Sequence, residues 1–258
     1  MAIHGKRIWR RLRATVAALG LVMLASAAAA ADRLTVVELY SAQGCPLCPP
    51  AETYLGELVQ RADILPLAFH VDYWDYLGWP DRFAAPAYSR RQQRYSDRLG
   101  LPYVYTPQIV IDGYRQAAGG RRDEVEAQIA LAAGDAAAAV EVRLTRLSAT
   151  RLRIEVPAMP AREDAADVVL IGFDAMHQTD IGKGENRGMH LVNYHVVRDI
   201  KSIASWAGDG LDLIVPLSTD HGATDFCAVL VQEAGQGRII GAARIDMRNR
   251  GTANAEGG

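Results

Sequence analysis

The hydrophobic period of this chain changes near Ala138, and that change limits the possible folds more than any single motif does. Before it, strand-like and helix-like stretches alternate. Residues 34–40 form an apolar run holding one acid, Glu38, and residues 64–71 form another; both read as strands buried on two faces. Between them Ala51, Tyr54, Leu55, Leu58 and Val59 recur at helical spacing. Residues 86–99 read as a polar helix ended by Gly100. Residues 108–112 read as a short strand that turns at Asp112 and Gly113 into 114–117. A last helix, 121–133, carries Val125, Ile129 and Ala132 on one face. The order β-α-β-α-β-β-α calls for a central sheet covered by helices. After Ala138 the period is two: Val140, Val142 and Leu144 alternate with Glu141, Arg143 and Thr145, and residues 151–156 repeat the pattern. Five more strand-like runs lie at 168–173, 190–197, 211–217, 226–232 and 239–245. Seven short strands in succession predict an antiparallel β-sandwich. The expected fold is therefore an α/β domain, 32–133, followed by an all-β sandwich domain, 138–248, with a loose tail at 249–258.

The first 31 residues carry a different message. Lys6, Arg7, Arg10, Arg11 and Arg13 precede an uncharged, Ala-rich stretch, 14–31. A basic start, an apolar segment and a run of small residues read as a secretory signal, with a retained anchoring helix as the alternative. Cleavage near Ala30 or Ala31 would remove five positive charges and take the net charge from −2 to −7. No basic surface suited to a phosphate backbone remains, so nucleic acid is not an expected partner. No second long apolar run follows, so no stable membrane insertion is expected after cleavage. The expected compartment is the periplasm or the outside of the cell, where disulfides persist. With 50% hydrophobic and 22% charged residues, the composition excludes a mainly disordered chain, a collagen or a coiled coil.

Within that frame the sequence Cys45-Pro46-Leu47-Cys48 falls between the first strand and the first helix. Two cysteines at this spacing can close a small ring and interconvert between dithiol and disulfide, the thiolate being the reactive form. Pro46, Pro49 and Pro50 push a regular helix to start near Pro49, with the cysteines in the preceding turn. Cys45 is expected to be the more exposed sulfur. The second motif is Tyr105-Thr106-Pro107-Gln108, where Pro107 should open a strand or sit at an edge because it cannot donate to a sheet.

A strand, C-x-x-C, a helix and then Thr-Pro opening a later strand resembles the thioredoxin superfamily over residues 34–133. The resemblance implies a thioredoxin-like domain, a cis Pro107 packed beside the cysteines, and thiol–disulfide chemistry. The segments 37–52, 68–79, 105–107, 182–186 and 194–198 look like a narrower exported bacterial family catalogued as a domain of unknown function. Members of that family more usually carry small polar residues where this chain has Pro46 and Leu47.

The neighbouring residues each admit two roles. Glu38, a lone acid in a buried strand, is either a proton relay for the cysteines or the partner of an arginine. His70 is a candidate acid–base group or metal ligand, or a hydrogen-bonded structural histidine. Thr106, Trp74 and Trp79 are candidate substrate-binding residues, although aromatics crowded in one loop also serve to seal a core. Glycines 182–188 lack the G-K-[ST] of a phosphate loop. His190 and His195 would face opposite ways on a regular strand, and Cys227 reads as a buried inert thiol.

Three functions are compatible with these residues. The first is an exported thiol–disulfide oxidoreductase acting on protein thiols or disulfides, with Cys45 attacking, Cys48 resolving, and no cofactor. The second is a copper(I)-binding or delivery protein using Cys45, Cys48 and His70. The third is a non-catalytic binding module stiffened by a structural disulfide.

Overall fold

A computed structural model describes residues 33–135, 139–217 and 224–248. The expected signal segment, the boundary near Ala138 and the tail after Arg248 lie outside the described residues. The first half follows the predicted order: β1 (Thr35–Ser41), α1 (Pro49–Leu58), β2 (Ile64–His70), α2 (Pro86–Arg98), β3 (Gln108–Ile111), β4 (Arg115–Ala118) and α3 (Arg122–Gly134). Every residue of β1 and β2 is buried, which is why neither strand alternates apolar and polar positions. On one face Leu39 packs with Leu55 and Leu58 of α1 and Val125 and Ile129 of α3. On the other, Tyr40 and Phe69 pack with Tyr88 and Tyr95 of α2. Each large side chain taken fully out of water contributes about 1.5–3 kcal/mol. Pro49 opens α1, where its missing N–H removes no helical hydrogen bond. Asp112 and Gly113, both at positive φ (46° and 72°), make the tight turn between β3 and β4.

Among the described residues the second half holds seven strands: β5 (Arg143–Ser148), β6 (Arg151–Val156), β7 (Ala166–Asp180), β8 (His190–Trp206), β9 (Leu211–Pro216), β10 (Phe226–Glu233) and β11 (Ile239–Asp246). They do not form a sheet pair of their own, and the expectation of a separate β-sandwich is corrected here. The large sheet runs β11-β10-β7-β8-β2-β1-β3-β4, so four strands of the second half extend the sheet of the first. β5, β6 and β9 form a smaller sheet, whose Leu152, Ile154 and Val156 pack on Val168, Val229 and Trp206. The architecture is mixed α/β, with one large mixed sheet and one small one. Strand length explains the difference. β7 and β8 run for 15 and 17 residues, about twice the predicted length. Val196 of β8 reaches β2 and pairs in parallel with Ala68. Without β8, β2 would leave an apolar strand edge uncovered.

Candidate functional site

After β1 the chain turns sharply. The Cys45 N–H donates to the Ala42 carbonyl and the Cys48 N–H to the Cys45 carbonyl, which brings the two cysteine Cα atoms to 5.4 Å. Their sulfurs are at disulfide distance. Cys48 is the N-cap of α1, its carbonyl accepting from Ala51 and Glu52.

The expectation that Cys45 is the more exposed cysteine is corrected, because both are only 1% exposed. The turn is held from both halves of the chain. Asn186, in the β7–β8 connection, donates through Nδ2 to the carbonyls of Gln43 (2.8 Å) and Cys45 (2.9 Å). The Gln43 side chain donates to Asn193 of β8 and accepts from the Trp79 indole, while its backbone N–H donates to Asp81. Leu47, between the cysteines, remains 69% exposed.

The Thr-Pro segment lies against the same turn. Thr106–Pro107 is a cis peptide. Trp74 packs over Gly44 and donates from Nε1 to Thr106 Oγ1 at 2.8 Å. A β-carbon on Gly119 would stand 3.0 Å from that of Pro107 and 3.1 Å from that of Ala51, so glycine there lets Pro107 approach the first turn of α1. Trp74, Thr106 and Trp79 therefore spend their polar groups on one another and on Gln43. That binds the loops around the cysteines together.

Glu52 is the residue that sequence reading missed. It follows Cys48 by four positions, which puts both on one face of α1. It is 4% exposed, and neither carboxyl oxygen has a hydrogen-bond partner among the described residues. Ser41 and Asn193 lie close enough to influence its ionisation without closing to a hydrogen bond. His70 Nε2, equally unpartnered, stands 3.7 Å from Glu52 Oε1. The other ring nitrogen of His70, Nδ1, is 2.6 Å from Asp81 Oδ2. A cavity of about 250 Å³ reaches Glu52, lined also by Cys48, Asn193 and Tyr194.

Burial pushes the Glu52 pKa up, and the His70 charge offsets part of that rise. Burial alone would lower His70, but the charge and hydrogen bond of Asp81, together with Glu52, hold it above its usual value. Burial would raise Asp81; His70 and the N–H groups of Gln43 and Phe83 bring it below the usual carboxyl range. The result is a carboxyl beside Cys48 able to exchange a proton, backed by an imidazole whose charge Asp81 balances. The i, i+4 spacing from Cys48 could have identified Glu52. Asp81, in an irregular loop, carries no comparable signal.

The remaining candidates fall elsewhere. Glu38 takes its alternative role: its Oε1 accepts from Arg91 Nη2 (2.6 Å) and Nε (3.0 Å), a buried pair within α2's packing surface. Among the described residues no group of three or more His, Cys, Asp or Glu side chains is placed to hold a metal ion. His190 is exposed against Asp180, while His195 is buried, with Nδ1 2.8 Å from the Pro66 carbonyl oxygen. Burial pushes the Cys227 thiol up to about 11, as suits an inert thiol.

Comparison with known proteins adds relatives without adding a function. The crystal structure of the protein AGR_C_4864 from Agrobacterium tumefaciens is similar, with a TM-score of 0.72 and 29% sequence identity over 85% of this chain and 97% of that one. No curated protein matches. The family described as "Protein of unknown function (DUF1223)" matches residues 36–232, which takes in the cysteine turn, the Glu52–His70–Asp81 group and the strands that cover them. The chain belongs to that family.

Proposed function

We propose that this protein is an exported thiol–disulfide oxidoreductase whose residues 34–133 form a thioredoxin-like domain. The observation that carries this reading is the Cys45–Cys48 pair at disulfide distance on a strand–helix junction, with the unpartnered carboxyl of Glu52 one helical turn beyond Cys48. In the oxidising direction, a substrate thiolate attacks Cys45 Sγ. The new mixed disulfide forms as the Cys45–Cys48 bond breaks, and the departing Cys48 thiolate takes a proton from Glu52. A second substrate thiolate then attacks the substrate sulfur of the mixed disulfide, closing the substrate disulfide and releasing Cys45. Two electrons pass from the substrate dithiol to the protein. In the reducing direction the steps run backwards, and Glu52 accepts the Cys48 proton so that Cys48 can resolve. The His70 charge, balanced by Asp81, limits the rise of the Glu52 pKa and keeps the carboxyl able to both give and take a proton. Thr106, Pro107 and Trp74 form the wall against which a substrate segment lies. Electrons pass directly between the substrate sulfurs and the Cys45–Cys48 pair in either direction, so the exchange step itself uses no cofactor. The basic and apolar first 31 residues support export, and the partners are exported protein thiols or disulfides.

A second reading, a permanent structural disulfide, draws support from the near-complete burial of both cysteines. Equilibrating the protein with glutathione buffers of graded ratio and counting free thiols separates the two. Reversible exchange at a defined potential is the expected result. A disulfide that persists in excess reductant would favour the structural reading. Stoichiometric copper(I) binding that is lost in Cys48→Ser would favour metal delivery.

A further inference from the structure

The Glu38–Arg91 pair, which thiol exchange does not use, borders a second cavity. This space of about 420 Å³ lies between α2 and strands β7, β8 and β10. Three guanidinium side chains from α2 line it: Arg90, Arg91 and Arg94. Two of them are fixed in place. Arg91 is held by Glu38, Tyr95 and Gln232. The Arg94 Nε donates to Gln236 Oε1 at 2.8 Å, and Gln236 is itself anchored by donating from Nε2 to the Arg91 carbonyl at 2.6 Å. Glu38 balances the Arg91 charge, but among the described residues neither Arg90 nor Arg94 has an ion-pair partner. Asp167 is the one acid lining the cavity, so the lining keeps an uncompensated positive charge. Val169 and Ile200 give the strand side an apolar wall.

We propose that this cavity binds a small monocarboxylate with an apolar body, its carboxylate on Arg90 and Arg94 and its body against Val169 and Ile200. A guanidinium presents paired N–H donors that match a carboxylate, and a side chain already fixed by Gln236 loses little freedom on binding. The volume lies within the range of small-ligand sites. The single net positive charge of the lining matches one carboxylate. None of these residues lines the cavity beside Cys48, so the site is separate from the exchange centre.

Isothermal titration calorimetry of the whole protein with benzoate as probe tests this. Saturable one-site binding is expected, weakened about tenfold or more in Arg94→Gln and in Arg90→Gln, the loss of roughly one charge-assisted hydrogen bond. Arg153→Gln, on the small sheet, should bind benzoate as the parent does, and glutathione titration of Cys45 and Cys48 should be unchanged in all three variants. Both altered arginines are exposed, and unchanged thiol titration would report intact folding. No saturable binding by the parent protein, or equal affinity in the parent and both α2 variants, would overturn the proposal. Inorganic phosphate binding as tightly as benzoate would overturn the assignment of an apolar body.

Discussion

Glu52 and His70 share one buried space without a hydrogen bond between them, so each responds to the other's charge. His70 titrates above its usual 6.5 because of Asp81, and Asp81 titrates below its usual 3.8 because of His70. The sign of the linkage follows. The stability supplied by the pair is present between those two ordinary values. It is lost as pH rises through the raised His70 pKa, and again as pH falls through the depressed Asp81 pKa. Asp81→Asn should cost about 3–5 kcal/mol in urea unfolding near pH 6, because it removes the nearest charge partner of a buried imidazolium, and should weaken the high-pH dependence. Unchanged stability would mean that the pair carries no charge. His195 behaves in the opposite way. Burial, with Phe173 and Phe226 rings 4.9 and 5.5 Å from its own, lowers its pKa to about 4. Between about 4 and 6.5 the unfolded chain binds a proton that the folded chain refuses, so stability rises as pH rises across that window, by roughly 3 kcal/mol in total. Glu52, with a raised pKa, opposes this above its usual 4.5. The test is therefore the difference between the parent and His195→Asn, which keeps a side chain tolerant of φ 45° and should lack the slope.

At the scale of elements, the two halves meet turn against turn. Gly113, in the β3–β4 turn at φ 72°, faces the carbonyl of Gly237 in the β10–β11 connection, with no room for a β-carbon between them. Gly113→Ala should lower stability by about 2–4 kcal/mol, combining backbone strain with a steric clash against backbone. Gly120→Ala, with open space around it, should change urea unfolding little. Equal effects would remove Gly113 from the junction. This position also marks how far sequence reading reaches. Asp112 and Gly113 announce a turn, because both can adopt positive φ, but nothing local announces Gly237 across the sheet. Cys48 and Glu52 are legible as neighbours because a helix repeats their spacing. Asp81 and Asn193 are not, because an irregular loop and a distant strand bring them in. Alternation in β5 and β6 and apolar runs in β7 to β11 reveal strands, yet neither says anything about partners, so the pairing of β8 with β2 stayed hidden.

For the whole molecule, one sheet spanning both halves implies one cooperative unit. The described residues 33–135, 139–217 and 224–248 belong to a single compact unit, and β2 owes its covered edge to β8. A fragment of residues 32–135 is expected to stay unfolded or aggregate, as read by circular dichroism and sedimentation; a monomeric, cooperatively melting fragment would contradict that. The same continuity places Asn186 and Asn193 over the cysteine turn, so the second half completes the candidate exchange centre. In the proposed chemistry Cys45 exchanges with substrate and Cys48, served by Glu52, resolves the product. Its most direct measurement is covalent trapping: Cys45→Ser, Cys48→Ser and Cys48→Ser combined with Glu52→Gln are exposed to exported proteins, and the adducts are resolved without reductant. Mixed disulfides are expected in Cys48→Ser, with the same adducts when Glu52 is also replaced, and none in Cys45→Ser. Equal trapping by both single cysteine variants, or none by either, would contradict that chemistry.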